Sequence, residues 1–280
     1  MIFSQKIKKD LYAPLFQNKM IGLILGDSDF SEIVLKKVKK LKKKYFIIDF
    51  SKKNKFKNDI NSHRISIGKF GKWINLIKEK KSKKVLFAGK IDKPKFSSLS
   101  LDLKGIYYIP SIIKASKIGD AAIIKSIIRI LNNEGIQVIS SITFNPELAI
   151  KAGNYSKFKP NLDDISAIKK GIIYFKKLKS LDHIQAIVVK DNNVVAKEGR
   201  GGTKHMLSKL NKNSNGILIK FPKPKQDLRM DLPTIGINTL KDCKKFGLKG
   251  IVLKSKQNIF LDKNKCISFA NKNKIFIYIV

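Results

Sequence analysis

The stretch MIGLILGDSDFSEIVLKKVKKLKKKYFIIDF, from Met20 to Phe50, decides how this chain folds. Ile21 to Leu25 is an apolar run of strand length, Gly26-Asp27-Ser28-Asp29 is a turn, and Phe30 to Leu41 repeats its apolar residues at helical spacing behind a lysine face. Tyr45 to Phe50 is a second strand. Strand, helix and strand in this order make a β-α-β unit, which builds a parallel sheet through right-handed crossovers.

Working outward, the unit repeats. Phe70 to Lys80 reads as a helix, Lys84 to Ala88 as a strand stopped by Gly89, and Gly119 to Asn133 as a long helix opened by Gly119-Asp120. Gln137 to Ser141 follows as a strand. The expectation is a Rossmann-like open parallel α/β domain over residues 20–135, preceded by an extension, residues 1–19, that lacks the apolar core of a signal peptide. Residues 136–280 form a second, mixed α/β domain. Its elements are a helix from Leu162 to Leu178, strands Gln185 to Lys190 and Val194 to Lys197 joined by Asp191-Asn192-Asn193, a short helix from Met206 to Leu210, and a strand from Gly216 to Lys220. A Pro-rich segment from Phe221 to Pro233, a helix from Asn238 to Phe246, a strand from Gly250 to Leu253 and a closing run from Ile275 to Val280 complete it.

Composition narrows the function. The 280 residues carry 59 Lys+Arg against 21 Asp+Glu, a formal charge of +38, with 43% hydrophobic residues. Such a chain can bury a core, so a disordered polycation is excluded. No run reaches the roughly 18 apolar residues needed to span a bilayer. Two cysteines without CxxC spacing argue against a disulfide framework or a cysteine zinc site. The charge invites a polyanion-binding reading, with RNA or acidic lipid as partner. Only Arg64, Arg129, Arg200 and Arg229 are arginines, however, and specific readers of phosphate and base edges favour that forked cation. No specific nucleic acid is therefore expected.

Four constellations, and the single acid Asp120, could carry chemistry. Gly22-Leu-Ile-Leu-Gly26-Asp27-Ser28 runs a strand into a helix, where Gly26 could help cradle a phosphate or simply make the turn. Lys90, in Ala88-Gly89-Lys90-Ile91-Asp92-Lys93-Pro94, stands where a parallel strand ends, suited to an anionic ligand or to a solvated loop. Asp120 at a helix start is a cap or a catalytic acid. The glycine-rich loop Glu198-Gly-Arg200-Gly-Gly202-Thr203-Lys204-His205 could wrap a phosphate. The strongest is Lys220-Phe-Pro-Lys223-Pro-Lys-Gln226-Asp227-Leu-Arg229-Met-Asp231-Leu-Pro233-Thr-Ile-Gly236, a proline-stiffened loop with both acids and bases. That mixture suits phosphoryl chemistry, with carboxylates on a hard divalent ion and cations on the phosphate. The competing reading is a structural salt bridge from Arg229 to Asp227 or Asp231. His63, His183 and His205 are scattered without metal-ligand spacing.

Read in order, these segments resemble the UDP-2,3-diacylglucosamine pyrophosphatase family of lipid A biosynthesis, in its two-domain form unrelated to the calcineurin-like phosphoesterases. The resemblance is carried by Gly22 to Gly26, Ala88 to Pro94, Gly119-Asp120 with the helix to Gly135, Gln185 to Val189, Glu198 to Thr203, and above all Gln226 to Gly236. It implies Mg2+-dependent hydrolysis of UDP-2,3-diacylglucosamine to UMP and 2,3-diacylglucosamine 1-phosphate, at the cytoplasmic face of the inner membrane, by a homodimer. It implies catalytic roles for Asp227, Asp231 and Asp120, phosphate contacts from Lys220, Lys223, Arg229, Thr203, Lys90 and Gly26, and metal ligation by Asp227, Asp231 and Glu198. The chain departs from the family pattern at Gly201 and Lys204, where acids are usual, and at Lys225, where glycine is usual. Loss of those acids makes a catalytically weakened relative that binds the lipid nucleotide the alternative within the family.

Overall fold

The computed structural model describes residues 19–178, 184–199, 201–223 and 226–280. Two compact units emerge, one from residues up to 117 together with 123–144, the other from 118–122 together with 145–280.

The first unit contains β1 (Ile21–Leu25), α1 (Asp29–Lys40), β2 (Tyr45–Asp49), β3 (Ser62–Arg64), α2 (Phe70–Glu79), β4 (Lys84–Ala88), α3 (Leu103–Ile118), most of α4 (Asp120–Asn133) and β5 (Gln137–Val138). All five strands are parallel, in the order β3-β2-β1-β4-β5. This is the expected open parallel sheet. Every residue of β1 is buried, as unbroken apolar strands require when helices cover both faces. The order reverses between β1 and β4, the switch point of a doubly wound fold.

Besides the short strand β3, which the sequence reading did not expect, two elements of this unit depart from the expectation. Helix α3 contains Pro110, which removes a backbone donor and disguises the helix in the sequence. Strand β5 pairs with β4, so the first unit continues to Phe144, beyond the expected end at residue 135.

The second unit contains β6 (Gly153–Asn154), α5 (Leu162–Lys177), β7 (Ala186–Lys190), β8 (Asn193–Lys197), α6 (Gly202–Ser208), β9 (Ile217–Lys220), β10 (Thr234–Ile235), α7 (Ile237–Lys245), β11 (Gly250–Leu253), β12 (Ile259–Phe260), α8 (Lys263–Lys272) and β13 (Phe276–Ile279). The main sheet runs β6-β13-β11-β9-β7-β8, with β9, β11 and β13 parallel and antiparallel pairing at both flanks. The mixed sheet matches the expectation. Alternate residues serve two cores. Ile217, Ile219 and Val252 pack with Ala167, Ile168 and Phe175 of α5, whereas Leu218 and Ile251 pack with Leu240 and Cys243 of α7 and Cys266 of α8. Each fully buried aliphatic contributes on the order of 2 kcal/mol.

Local chemistry sets the ends. Asn161 caps α5 by accepting from Asp164 N at 2.8 Å while Asp164 Oδ2 accepts from Asn161 N at 3.1 Å, a reciprocal capping box. Asp191 and Asn192 both adopt positive φ, 47° and 63°, so the β7–β8 turn has the primed twist that suits a tight hairpin. Cys243 and Cys266 are both buried and free.

Candidate active site

The register of the second sheet brings the key residues to one edge. Strand β9 ends at Lys220, Ala186 of β7 lies opposite it, and Glu198 N donates to Ala186 O at 2.9 Å. Glu198, just past β8, and Lys220, at the carboxyl end of β9, therefore share an edge where open α/β sheets bind ligands.

The loop after β9 is pinned at both ends. Buried Asn258 accepts from Lys254 N at 2.8 Å through Oδ1, while its Nδ2 donates to Lys220 O at 3.0 Å and Pro233 O at 3.4 Å. Ile259 N also donates to Pro233 O, and β10 pairs with β12 in parallel. Between these anchors, Met230 N and Asp231 N both donate to Asp227 O, folding residues 227–231 into a turn. Gln226 Oε1 accepts from Lys223 N at 2.8 Å. Pro224, Lys225 and Arg200 lie outside the described residues, as does His183.

Each carboxylate has a distinct setting. Asp227 meets Arg229 on both oxygens, with Arg229 Nε donating to Oδ1 at 3.0 Å and Nη2 to Oδ2 at 2.7 Å. The local salt bridge that competed with a catalytic role thus forms, and the guanidinium fixes the plane of the carboxylate. Glu198 is buried, with Oε1 accepting from the Thr203 hydroxyl at 2.6 Å and Oε2 from Gln185 N at 2.7 Å. Burial pushes the Asp231 carboxyl up and the charge of Asp120 adds to the rise, while Gln226, Lys223 and Lys220 oppose it. Burial pulls the Lys220 ammonium down against the favourable charges of Glu198 and Asp231. Asp120, in the 118–122 segment of this unit, is exposed at the start of α4.

Three expected metal ligands, Asp227, Asp231 and Glu198, are not gathered as a set. Among the described residues no group of three His, Cys, Asp or Glu side chains stands arranged around a metal position. Both oxygens of Asp227 and of Glu198 already accept protein hydrogen bonds. Asp231 is the carboxylate that burial leaves least favourably placed to carry charge, and the charge of Asp120 adds to that effect.

Thr203 spends its hydroxyl proton on Glu198 and so orients that carboxylate. Gly26 and Lys90 belong to the first unit. There, Gly26 N donates to Ala88 O and Asp27 N to Lys90 O, so these amides close the β1–β4 exit and are not left open toward a phosphate. Lys90 Nζ pairs with Asp92 at 2.9 Å. Sequence reasoning missed Asn258 as an organiser of the site and gave no role to Gln226; neither carries a spacing signal.

The comparisons with known proteins follow this division of the chain. Family models described as the LpxI N-terminal domain and the LpxI C-terminal domain match residues 20–148 and 151–278. The chain belongs to the LpxI family. A relative from Caulobacter vibrioides named UDP-2,3-diacylglucosamine pyrophosphatase LpxI is 30% identical over 223 residues, 76% of this chain and 80% of that protein. The motif most specific to the LpxI resemblance, Gln226 to Gly236, lies within the C-terminal match and forms the pinned loop.

Proposed function

We propose that this chain hydrolyses the pyrophosphate of UDP-2,3-diacylglucosamine to UMP and 2,3-diacylglucosamine 1-phosphate, aided by Mg2+, at the cytoplasmic face of the inner membrane. The observation that carries this reading is the convergence of Lys220, Asp231 and the Asp227–Arg229 pair on one pinned loop in a chain of the LpxI family. Water attacks phosphorus, its oxygen forms the new P–O bond, and the bridging P–O bond breaks with its electron pair passing to the leaving phosphate. Asp227, held by Arg229, orients the water and accepts its proton. Lys220, Lys223 and Arg229 supply positive charge to the equatorial oxygens as they gain charge. Asp231 and Asp120 would hold the divalent ion, which when bound supplies charge neutralisation on the pyrophosphate.

Glu198 and Thr203 support this edge from behind. Their hydrogen bond and the Glu198 bond to Gln185 N fix the carboxylate whose charge opposes the downward pull of burial on the Lys220 ammonium.

The test is UMP release from UDP-2,3-diacylglucosamine with Mg2+ in excess, for wild type and Asp227→Ala. Loss of about 100-fold or more in kcat is expected for the variant. Absence of release by wild-type protein would sink the hydrolase reading. Full release by Asp227→Ala would remove Asp227 from its role and leave the reaction standing.

A further inference from the structure

Helix α3 of the first unit presents an outer face that is exposed among the described residues. Leu103, Ile106 and Tyr107 are 86%, 61% and 77% exposed, and Pro110 is exposed beside them. Their spacing of three, four and seven residues puts them on one side of the helix. The next turns on that side carry exposed Lys114 and Lys117, and α3 contains no Asp or Glu.

The opposite face is firmly seated. Asp102 Oδ1 accepts from Gly105 N at 2.8 Å and from Gly71 N at 3.0 Å, and its Oδ2 from Lys72 N at 2.9 Å, tying the starts of α2 and α3 to one carboxylate. Lys104 and Tyr108 turn inward onto Glu134, and Ile109, Ile112 and Ala115 are buried. The apolar stripe is therefore held outward by a fixed helix.

We infer that this face docks on an anionic lipid surface, with α3 lying in the plane of the interface. A helix with an apolar stripe, an interfacial tyrosine and basic neighbours suits the boundary between headgroups and acyl chains. Charge selects lipid over a second copy of the chain. Two copies meeting at this face would oppose the Lys114 and Lys117 of each with no acid on α3 to pair them, whereas an anionic bilayer neutralises the same lysines. No helix among the described residues is long and apolar enough to cross a membrane, so attachment would be to the surface. Binding is read without turnover, so the inference stands or falls apart from the hydrolase reading.

The experiment is co-sedimentation of the full chain with phosphatidylcholine vesicles, with and without phosphatidylglycerol, at low and high salt. A triple variant, Leu103→Ser with Ile106→Ser and Tyr107→Ser, keeps the net charge and is expected to bind the anionic vesicles about ten-fold or more weakly at both salt levels. Lys114→Gln with Lys117→Gln is expected to lose about five-fold per lysine at low salt and little at high salt. Equal binding by wild type and the triple variant would overturn the inference, because the general lysine surface would then account for attachment. A lipid-free dimer of the wild type that the triple variant disperses would also overturn it, by assigning the face to a second copy. Independently of any folding defect in the triple variant, Leu103→Cys can be labelled with a polarity-sensitive dye at an exposed position while Cys243 and Cys266 stay buried. A blue shift on phosphatidylglycerol vesicles is expected, and an unchanged spectrum overturns the inference.

Discussion

Replacing Glu134 by Gln isolates an electrostatic clamp in the first unit. Glu134 follows α4 and takes the ammonium groups of Lys78 from α2, at 2.5 Å, and Lys104 from α3, with the Tyr108 hydroxyl at 2.8 Å. Burial opposes its charge, but the bonds from Lys104, Lys78 and Tyr108 prevail and hold the carboxyl at about 2 against an ordinary 4.5. Burial and the same carboxylate push the Tyr108 hydroxyl up to about 12. A carboxyl depressed on folding contributes stability above its unfolded pKa and loses it as pH falls through the folded value. The full difference would be worth about 3 kcal/mol at neutral pH. The lysines are 49% and 38% exposed, so solvent screening reduces the expected contribution to about 2 kcal/mol. Trp73, the single tryptophan, is buried in the same unit and reports its unfolding in urea by fluorescence. Glu134→Gln should lose about 2 kcal/mol at neutral pH, and the two curves should converge as pH falls from about 4.5 toward 2. An equal loss at neutral and acid pH would refute the charge-based reasoning and assign the effect to packing. No loss at neutral pH would refute the clamp.

Two further outcomes concern the second unit. Asn258→Ala removes the side-chain partner of Lys254 N and one donor each from the carbonyls of Lys220 and Pro233, the latter keeping Ile259 N, so it should cost about 1–3 kcal/mol in thermal unfolding followed by circular dichroism, and reduce UMP release; a change below about 0.5 kcal/mol would show that the loop needs no such anchor. Because burial and Asp120 raise the Asp231 carboxyl, the acidic limb of kcat/KM should lie above the ordinary carboxylate range and move down in Asp120→Asn, and a limb that stays in place would disconnect the two acids.

The first sheet was legible because its strands are buried on both sides and read as continuous apolar runs, as in Ile21 to Leu25 and Val85 to Ala88. The hairpin at Asp191-Asn192 was legible because its turn needs residues that accept positive φ. Helix α3 was not, since Pro110 interrupts the pattern and apolar residues stand on its outer face as well as its inner one. Helix α8 hid for a different reason: its buried contacts are the small Cys266 and Ala270, set among lysines. At the site, the Asp227–Arg229 pair could be weighed from sequence because its partners are two residues apart. Asn258 could not, because its three backbone partners converge only when β10 and β12 pair.

The same contrast sharpens the meaning of the basic surplus. Most carboxylates with described ion pairs are matched by lysine or arginine: Asp59 by Lys39, Asp92 by Lys52 and Lys90, Glu134 by Lys78 and Lys104, Asp164 by Lys249. In a chain with 59 basic residues, such pairing is the ordinary fate of an acid and says little about function. Asp231 breaks the pattern, because burial raises it and the charge of Asp120 adds to the rise, despite the opposing Gln226 hydrogen bond and the fields of Lys223 and Lys220. Burying Asp231 within the field of Asp120 costs folding energy that an external cation can offset. If that is their purpose, Mg2+ should raise the thermal stability of wild-type protein and have no such effect on Asp231→Asn, a difference readable by calorimetry without substrate.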